Sequence, residues 1–498
     1  MSTPLLRVAE LRDLESRHVA AEPPLMTRAG EAAARVAIGL LRDRRQPVLA
    51  FAGPGNNGGD ALAMACALRA RGIEVRVVFL GEEAKLPTDA RQALATWRAA
   101  GGAIDREVPV GDYGLVVDGL FGIGLVRPLT GLYADWVARI NVFAGPVLAL
   151  DVPSGLDADT GCVVGNTVDG ADGVCVRATH TVTFIAGKPG LYTLDGPDHC
   201  GEVTIATLDL PEPASTTWSG GLLDTADFRG SLMSRPKNTH KGSFGSLAVI
   251  GGSHGMSGAA LLAGRAALQL GAGRVFLGLL APLAVDPVQP ELMLRDVDDA
   301  LQQATTAVIG PGLGLTAQAL ATLRRLASAD FPVLFDADAL NLLAAHPVLA
   351  AQVARRVAPT VLTPHPAEAA RLLATTVDAV QADRVAAALM LARRFDAHVA
   401  LKGCGTVVAR PDGRWRINTT GNAGLATAGT GDVLSGFTGA LLAQHWPAAA
   451  ALNCAVHLHG AAADALVAAG QGPQGLTAGE LIQPARHLLN DWVSSLHV

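Results

Sequence analysis

The sequence predicts a two-domain α/β protein, and three observations predict it. At 498 residues the chain is long for a single hydrophobic core. Short apolar runs alternate with helical spacing in two separate series, the pattern of βαβ units on a doubly wound parallel sheet. Between the series, DLPEPASTTWS at Asp209 to Ser219 has no periodicity and is rich in Pro, Ser and Thr. The expected domains are therefore residues 1–212 and 222–498.

From residue 8 to residue 43 the apolar spacing is helical, with Pro24 and Arg28 to Gly30 marking a break between two helices. Runs at Pro47 to Ala52, Val75 to Leu80, Leu115 to Val117 and Val147 to Leu150 read as buried parallel strands, with helices at Asp60 to Arg71 and Asp89 to Ala100. In the second series, strands are expected at Ser246 to Ile250, Arg274 to Leu279, Ala307 to Ile309, Pro332 to Phe335, Thr360 to Leu362 and Val399 to Leu401. Helices are expected at Ser257 to Leu270, Ala317 to Ser328 and Asp378 to Phe395. The charge-free run between Asp432 and Asp464 is interrupted by Pro447 and punctuated by polar residues, so it reads as two buried helices rather than a membrane span.

Composition narrows the function. Aromatics are scarce at 4% and the formal net charge is −6, which argues against a nucleic-acid partner. Six cysteines without a CxxC fit reduced thiols in a cytoplasm better than a disulfide framework or a zinc site. MSTPLLRVAELRDLE carries acids and no long apolar stretch, so it does not read as a secretory signal, and no membrane partner is expected. Lysine occurs only at Lys85, Lys188, Lys237, Lys241 and Lys402, and three of these lie in glycine-bearing motifs, AGKPG, HKGSFG and LKGCG.

In the first half, GPGNNG at Gly53 to Gly58 satisfies the dinucleotide-binding fingerprint between a strand and a helix. The loop continues as NNGGD, placing Asn56, Asn57 and Asp60 at the helix entrance. These residues either bind a polar ligand or cap the helix. DGLFGIGLVRP at Asp118 to Pro128 and ALDVPSGLDADTG at Ala149 to Gly161 each put an acid at a strand's carboxyl end, where open α/β sheets bind ligands. Asn57, Asp118 and Ser154 offer hard oxygen donors suited to a monovalent or divalent cation.

In the second half, NTTGNAGLATAGTGDVLSG at Asn418 to Gly436 sets Asp432 among five glycines ahead of an apolar helix. Glycines let backbone N–H groups approach a phosphate, the helix start favours an anion, and an aspartate there can act as base toward a hydroxyl. GPGLG at Gly310 to Gly314, TPHPAE at Thr363 to Glu368 and LKGCGT at Leu401 to Thr406 end other strands. Lys402 with its neighbouring N–H groups makes a plausible phosphate cradle.

GPGNNGGD, DGLFGIGLVRP and ALDVPSGLDADTG resemble the YjeF N-terminal family of NAD(P)H-hydrate epimerases. GPGLG, TPHPAE, KGCGT and AGTGDVLSG resemble the ribokinase-like YjeF C-terminal family of NAD(P)H-hydrate dehydratases. The resemblance implies a Rossmann-like three-layer sandwich followed by a ribokinase-like α/β domain. It implies that Asn56, Asn57, Gly58, Gly59, Asp60 and Gly122, Ile123, Gly124, Leu125, Val126, Arg127, Pro128 hold the hydrated nucleotide, with Asp151 at the reacting ring. It further implies a potassium ion near Asn57, Asp118 and Ser154. In the second domain it implies that Ala259, Gly312, Gly314 and His365 line the hydrate pocket. Lys402, Gly403, Cys404, Gly405, Thr406 and Gly431 would hold ADP with magnesium, and Asp432 would be the base. The expected activities are epimerisation of R- and S-NADHX and NADPHX and ADP-dependent dehydration of the S form, in a cytoplasmic homo-oligomer. The rival readings are a small-molecule kinase with a regulatory N-terminal domain, and a first domain that only binds.

Overall fold

Seven strands of the first half form where aliphatic or β-branched residues cluster: β1 (Val48–Ala52), β2 (Val75–Phe79), β3 (Ile104–Asp105), β4 (Leu115–Gly119), β5 (Val147–Leu150), β6 (His180–Phe184) and β7 (Glu202–Ala206). They make one all-parallel sheet in the order β3-β2-β1-β4-β5-β6-β7. Strand order therefore reverses between β1 and β4, and the crevice above their carboxyl ends is where such sheets bind ligands. The computed structural model describes residues 3–165, 173–210 and 218–497. It divides into two units, Pro4–Trp218 and a second beginning at Ser219, to which Thr3 also belongs. Most of the expected boundary segment, residues 211–217, lies outside the described residues.

Alternation along β1 makes three layers. Val48, Ala50 and Ala52 join a cluster with Ala33, Leu62 and Trp97 from helices Leu25–Leu40, Asn56–Ala70 and Thr88–Ala99. Leu49 and Phe51 face the other way, onto Trp136, Val137 and Ile140 of helix Leu132–Asn141. Each fully buried aliphatic or aromatic side chain of this kind contributes about 1.5–3 kcal/mol. The Gly53 to Gly58 turn is tight for steric reasons: a Cβ on Gly53 would lie 1.6 Å from the Leu120 carbonyl oxygen, and one on Gly58 1.9 Å from that of Gly53.

The break expected at Arg28 to Gly30 is not there. The helices are Val8–Arg17 and Leu25–Leu40, and the chain turns between them. Gly30 serves helix packing instead, since its Cβ would stand 2.5 Å from that of Ala63. β3, β6 and β7 escaped the sequence reading because they are short or, like HTVTF and EVTIA, rich in polar residues.

The second unit contains β8 (Gly220–Leu222), β9 (Ser246–Gly251), β10 (Arg274–Leu279), β11 (Met293–Arg295), β12 (Thr306–Ile309), β13 (Val333–Phe335), β14 (Thr360–Leu362), β15 (His398–Leu401), β16 (Val407–Ala409) and β17 (Trp415–Ile417). Their order is β8-β17-β16-β15-β14-β13-β12-β9-β10-β11. Pairing is parallel from β15 through to β11, and antiparallel where β16 meets β15 and β17. Pro447 separates helices Thr430–Ala443 and Ala448–Ala468, and among the described residues no helix is long and apolar enough to cross a membrane. Helix Thr430–Ala443 packs closely on Ser257–Gln269, because Gly436 leaves room that a Cβ, 2.2 Å from the Ala263 carbonyl oxygen, would fill. The single helix expected over Asp378 to Phe395 is two, Val377–Ala382 and Arg384–Phe395. Asp383 leaves helical geometry to accept a 2.8 Å bond from Ala386 N, capping the second.

Candidate active sites

In the first unit, the ends of β1, β4 and β5 converge on a cavity of about 370 Å³ lined by Asn56, Asn57, Asp60, Gly122, Ile123, Gly124, Leu125 and Asp151. Gly58 and Gly59 are buried in the helix behind this wall, whereas Val126, Arg127 and Pro128 continue the loop as exposed residues and are not part of the lining. Arg12, Glu15 and Lys188 also line the cavity and were not among the sequence candidates. Lys188 could have been found from its place in AGKPG, a rare lysine between glycines at the end of a strand-length run. Glu15 carries no such signal.

Asp151 follows β5 directly and takes a left-handed backbone with φ of 64°, a conformation costly for residues other than glycine. Its carboxylate is fixed by the buried Lys188 ammonium, which donates to Asp151 Oδ1 (2.6 Å), Thr183 Oγ1 (2.8 Å) and the Phe184 carbonyl (2.7 Å). A Cβ on Gly122 would lie 3.2 Å from Asp151 Oδ2, so the glycine opens space beside the free carboxylate oxygen. Two further carboxyls bear on this cluster. Burial raises Asp60 well above the carboxylate range, and the charges of Asp151 and Glu15 add to it. Glu15 is likewise raised, by burial first and then by Asp151.

Asp118 and Ser154 meet in the buried interior, outside the lining of this cavity. Ser154 Oγ donates to Asp118 Oδ1 (2.6 Å), Ser154 N to Asp118 Oδ2 (2.8 Å), and Phe121 N to Ser154 Oγ (2.8 Å). Burial pushes Asp118 up to about 6, against the opposing pull of the Ser154 bonds. Both amide atoms of Asn57, Oδ1 and Nδ2, are buried without a hydrogen-bond partner. Leaving such groups unsatisfied costs about 1–3 kcal/mol each. Asn57 packs against Gly119 and Gly122, and an orphaned amide oxygen there with a buried carboxylate–hydroxyl pair fits a hard cation with oxygen ligands.

In the second unit, Asp432 lies in the first turn of helix Thr430–Ala443. Burial raises it to about 7, with Asp336 the next cause, while Lys402 opposes. Lys402 Nζ pairs with Asp336 Oδ1 (2.9 Å), lies 3.9 Å from Glu368 Oε2 and donates to the Thr363 carbonyl. Burial works against that ammonium, but Asp336 and Glu368 outweigh it and hold it above the ordinary lysine range. Ser435 Oγ fixes the other Asp336 oxygen at 2.7 Å. Gly431 sits beside Lys402, its notional Cβ 3.6 Å from Nζ. The structure thus brings Lys402, Gly431 and Asp432 together around Asp336, a residue the sequence reading missed although DADAL follows β13 just as DGLF ends β4.

Gly312 lies against Ala259, and Gly314 N donates to Asp338 Oδ2 (2.8 Å), another of the carboxylates that raise Asp432. His365 caps helix Pro366–Leu373: its Nδ1 accepts from Ala367 N (3.1 Å), and Nε2 stands 3.2 Å from Glu368 Oε1. Burial, then Lys402, lowers its pKa, so near neutral pH the ring is uncharged with Nε2 as its donor. Gly403 has φ of 143°, and Thr406 Oγ1 donates to its carbonyl (3.0 Å), closing the Lys402 to Thr406 loop; Cys404 there is exposed. His459 Nε2 holds the Thr430 carbonyl at 3.0 Å, and burial lowers this histidine to about 4.

Residues 22–190 match the family model described as YjeF-related protein N-terminus, and residues 247–484 match NAD(P)H-hydrate dehydratase. The chain is 37% identical to the bifunctional NAD(P)H-hydrate repair enzyme Nnr of Coxiella burnetii, over 98% of this chain and 100% of that one. It is 38% identical to the Escherichia coli enzyme of the same name, over 94% and 90%. Among solved structures it resembles the ADP/ATP-dependent NAD(P)H-hydrate dehydratase of Bacillus subtilis co-crystallised with ATP and Mg²⁺, with 32% identity, a TM-score of 0.48 and coverage of 54% of this chain and 98% of that one. With both family models matched in order and relatives of 37–38% identity aligned nearly end to end, the chain belongs to the bifunctional NAD(P)H-hydrate repair enzymes.

Proposed function

We propose that the two crevices divide the repair between them, the first interconverting the R and S hydrates of NADH and NADPH and the second dehydrating the S form with ADP. The observation that carries this reading is the recurrence, in each unit, of a carboxylate and a lysine at the carboxyl ends of parallel strands beside a glycine-lined loop. In the second site, Asp432 accepts the proton of the C6 hydroxyl as that oxygen attacks the terminal phosphorus of ADP and AMP leaves. The phosphorylated oxygen is then a good leaving group. The ring nitrogen lone pair expels phosphate, and loss of a proton from C5 restores the reduced nicotinamide. Lys402, the loop to Thr406 and Gly431 bind the nucleotide, while Ala259, Gly312, Gly314 and His365 line the hydrate pocket. Magnesium bound with the nucleotide would supply positive charge to the phosphates. Product analysis tests the reading: AMP, free phosphate and NAD(P)H are expected, whereas a stable phosphorylated product would indicate a kinase.

The acid–base assignment gives a pH dependence. A base must be ionised, so with Asp432 near 7 the dehydration rate is expected to rise with pH and level off above about 7. Asp336→Asn removes a negative charge that raises Asp432, so the rising limb should move to lower pH. An unmoved limb would take Asp336 out of the tuning.

Asn57, Asp118 and Ser154 would hold a potassium ion, whose charge would offset that of the buried Asp118. The donor set offers one formal negative charge and no nitrogen or sulfur, which suits potassium better than zinc. Asp118→Ala should slow epimerisation several-fold and leave dehydration untouched, and the wild-type epimerisation rate should differ between potassium, sodium and a bulky organic cation at matched ionic strength. Equal rates in all three, with an unimpaired Asp118→Ala, would rule the cation out.

A further inference from the structure

Inverting a carbon that carries a hydroxyl requires help on both faces of the ring, yet Asp151 alone comes with a fixed partner. The strand order supplies a second carboxyl. β1 and β5 flank β4 on opposite sides in the sheet. Asp60 is carried by the helix that follows β1, Asp151 directly follows β5, and residues of the glycine loop after β4 line the same cavity. Both aspartates line the same cavity, and Gly122 of that loop abuts Asp151 Oδ2. We propose that Asp60 is a second catalytic residue of the first site, acting on the ring face opposite to that served by Asp151. This inference rests on the epimerase reading of the unit and adds to it a two-carboxyl mechanism.

The two aspartates are held differently. Lys188 ion-pairs Asp151 at 2.6 Å, which suits it to accept a proton. Asp60 feels the negative charges of Asp151 and Glu15, which Lys188 offsets only in part, and among the described residues it has no hydrogen bond or ion pair of its own; burial and those charges favour its neutral form. Environments that separate two carboxyls in this way assign one as acid and the other as base. In one direction, protonated Asp60 gives its proton to the C6 hydroxyl oxygen, the C6–O bond breaks, and the ring nitrogen lone pair forms a C6=N1 iminium. A water molecule adds to C6 from the other face while Asp151 takes its proton. Asp60 is then ionised and Asp151 protonated, which is the state that runs the reverse reaction on the product epimer. Solvent exchange restores the starting form. The oxygen of each new epimer therefore comes from water.

With one carboxyl removed, the other can still expel and return water on its own face. In ¹⁸O-labelled water, Asp60→Asn is expected to lose label incorporation into one hydrate epimer by about 10²–10⁴-fold while keeping it in the other, and Asp151→Asn is expected to show the mirror image. Both variants should lose epimer interconversion. The retained exchange also reports a folded site, which a merely structural role for Asp60 would not predict. Loss of both exchanges in Asp60→Asn and Asp60→Glu alike, loss of neither, or loss of the same epimer's exchange in Asp60→Asn and Asp151→Asn overturns the assignment. Interconversion by the wild type without ¹⁸O incorporation would point to opening of the C6–N1 bond and overturn it too, with the epimerase reading intact. A wild type that interconverts nothing would contradict the epimerase reading itself.

Discussion

Asp432→Asn is expected to abolish ADP-dependent dehydration and leave the interconversion of the hydrate epimers at its wild-type rate. The substitution keeps the side chain's volume and removes a base that burial and Asp336 have brought to about 7, close to the pH at which it must work. Loss of a general base costs about 10²–10⁴ in rate. Lys402 keeps its Asp336 partner at 2.9 Å, so the nucleotide cradle is not dismantled with the base. The fall should therefore appear in kcat, with little change in the KM for ADP. Steady-state formation of NAD(P)H from the S hydrate measures it, and a near wild-type rate would remove Asp432 from the chemistry.

Asp151→Asn has the second large effect, in the other site. A mixture of R and S hydrates with ADP should lose its S fraction promptly and leave the R fraction to slow spontaneous epimerisation. The variant also leaves the Lys188 ammonium buried without its anion, and breaking such a pair costs about 3–5 kcal/mol. A lowered melting temperature of the first unit is expected alongside the loss of epimerisation. Equal consumption of both epimers would exclude Asp151 as an acid–base group.

Much of this architecture is legible in the chain. Runs such as VLAFA and SLAVIG are apolar on both faces because helices cover both sides of a parallel sheet, and their spacing marks the strands closely. Strand-end motifs were legible for the same reason, since glycine and acid at a strand's carboxyl end have few purely structural uses in combination. What stayed hidden depends on tertiary neighbours. Gly30 reads as a helix breaker until Ala63 is seen against it. AGKPG and DADAL mark Lys188 and Asp336 only as strand-end residues, and their roles are set by the partners brought to them across 37 and 66 residues of chain. Glu15 sits on a mostly polar helix and reaches the cavity only because that helix packs over the sheet's carboxyl edge.

Two separate sites on one chain that exchange the hydrate through solution should complement one another between molecules. The decisive measurement mixes the Asp151→Asn and Asp432→Asn proteins with racemic hydrate, ADP and magnesium and follows NAD(P)H formation to completion. The first variant alone should stop near the S fraction and the second should form no NAD(P)H, yet together they should convert the whole mixture. Arrest of the mixture at the S fraction, or loss of both activities in either variant alone, would contradict the account.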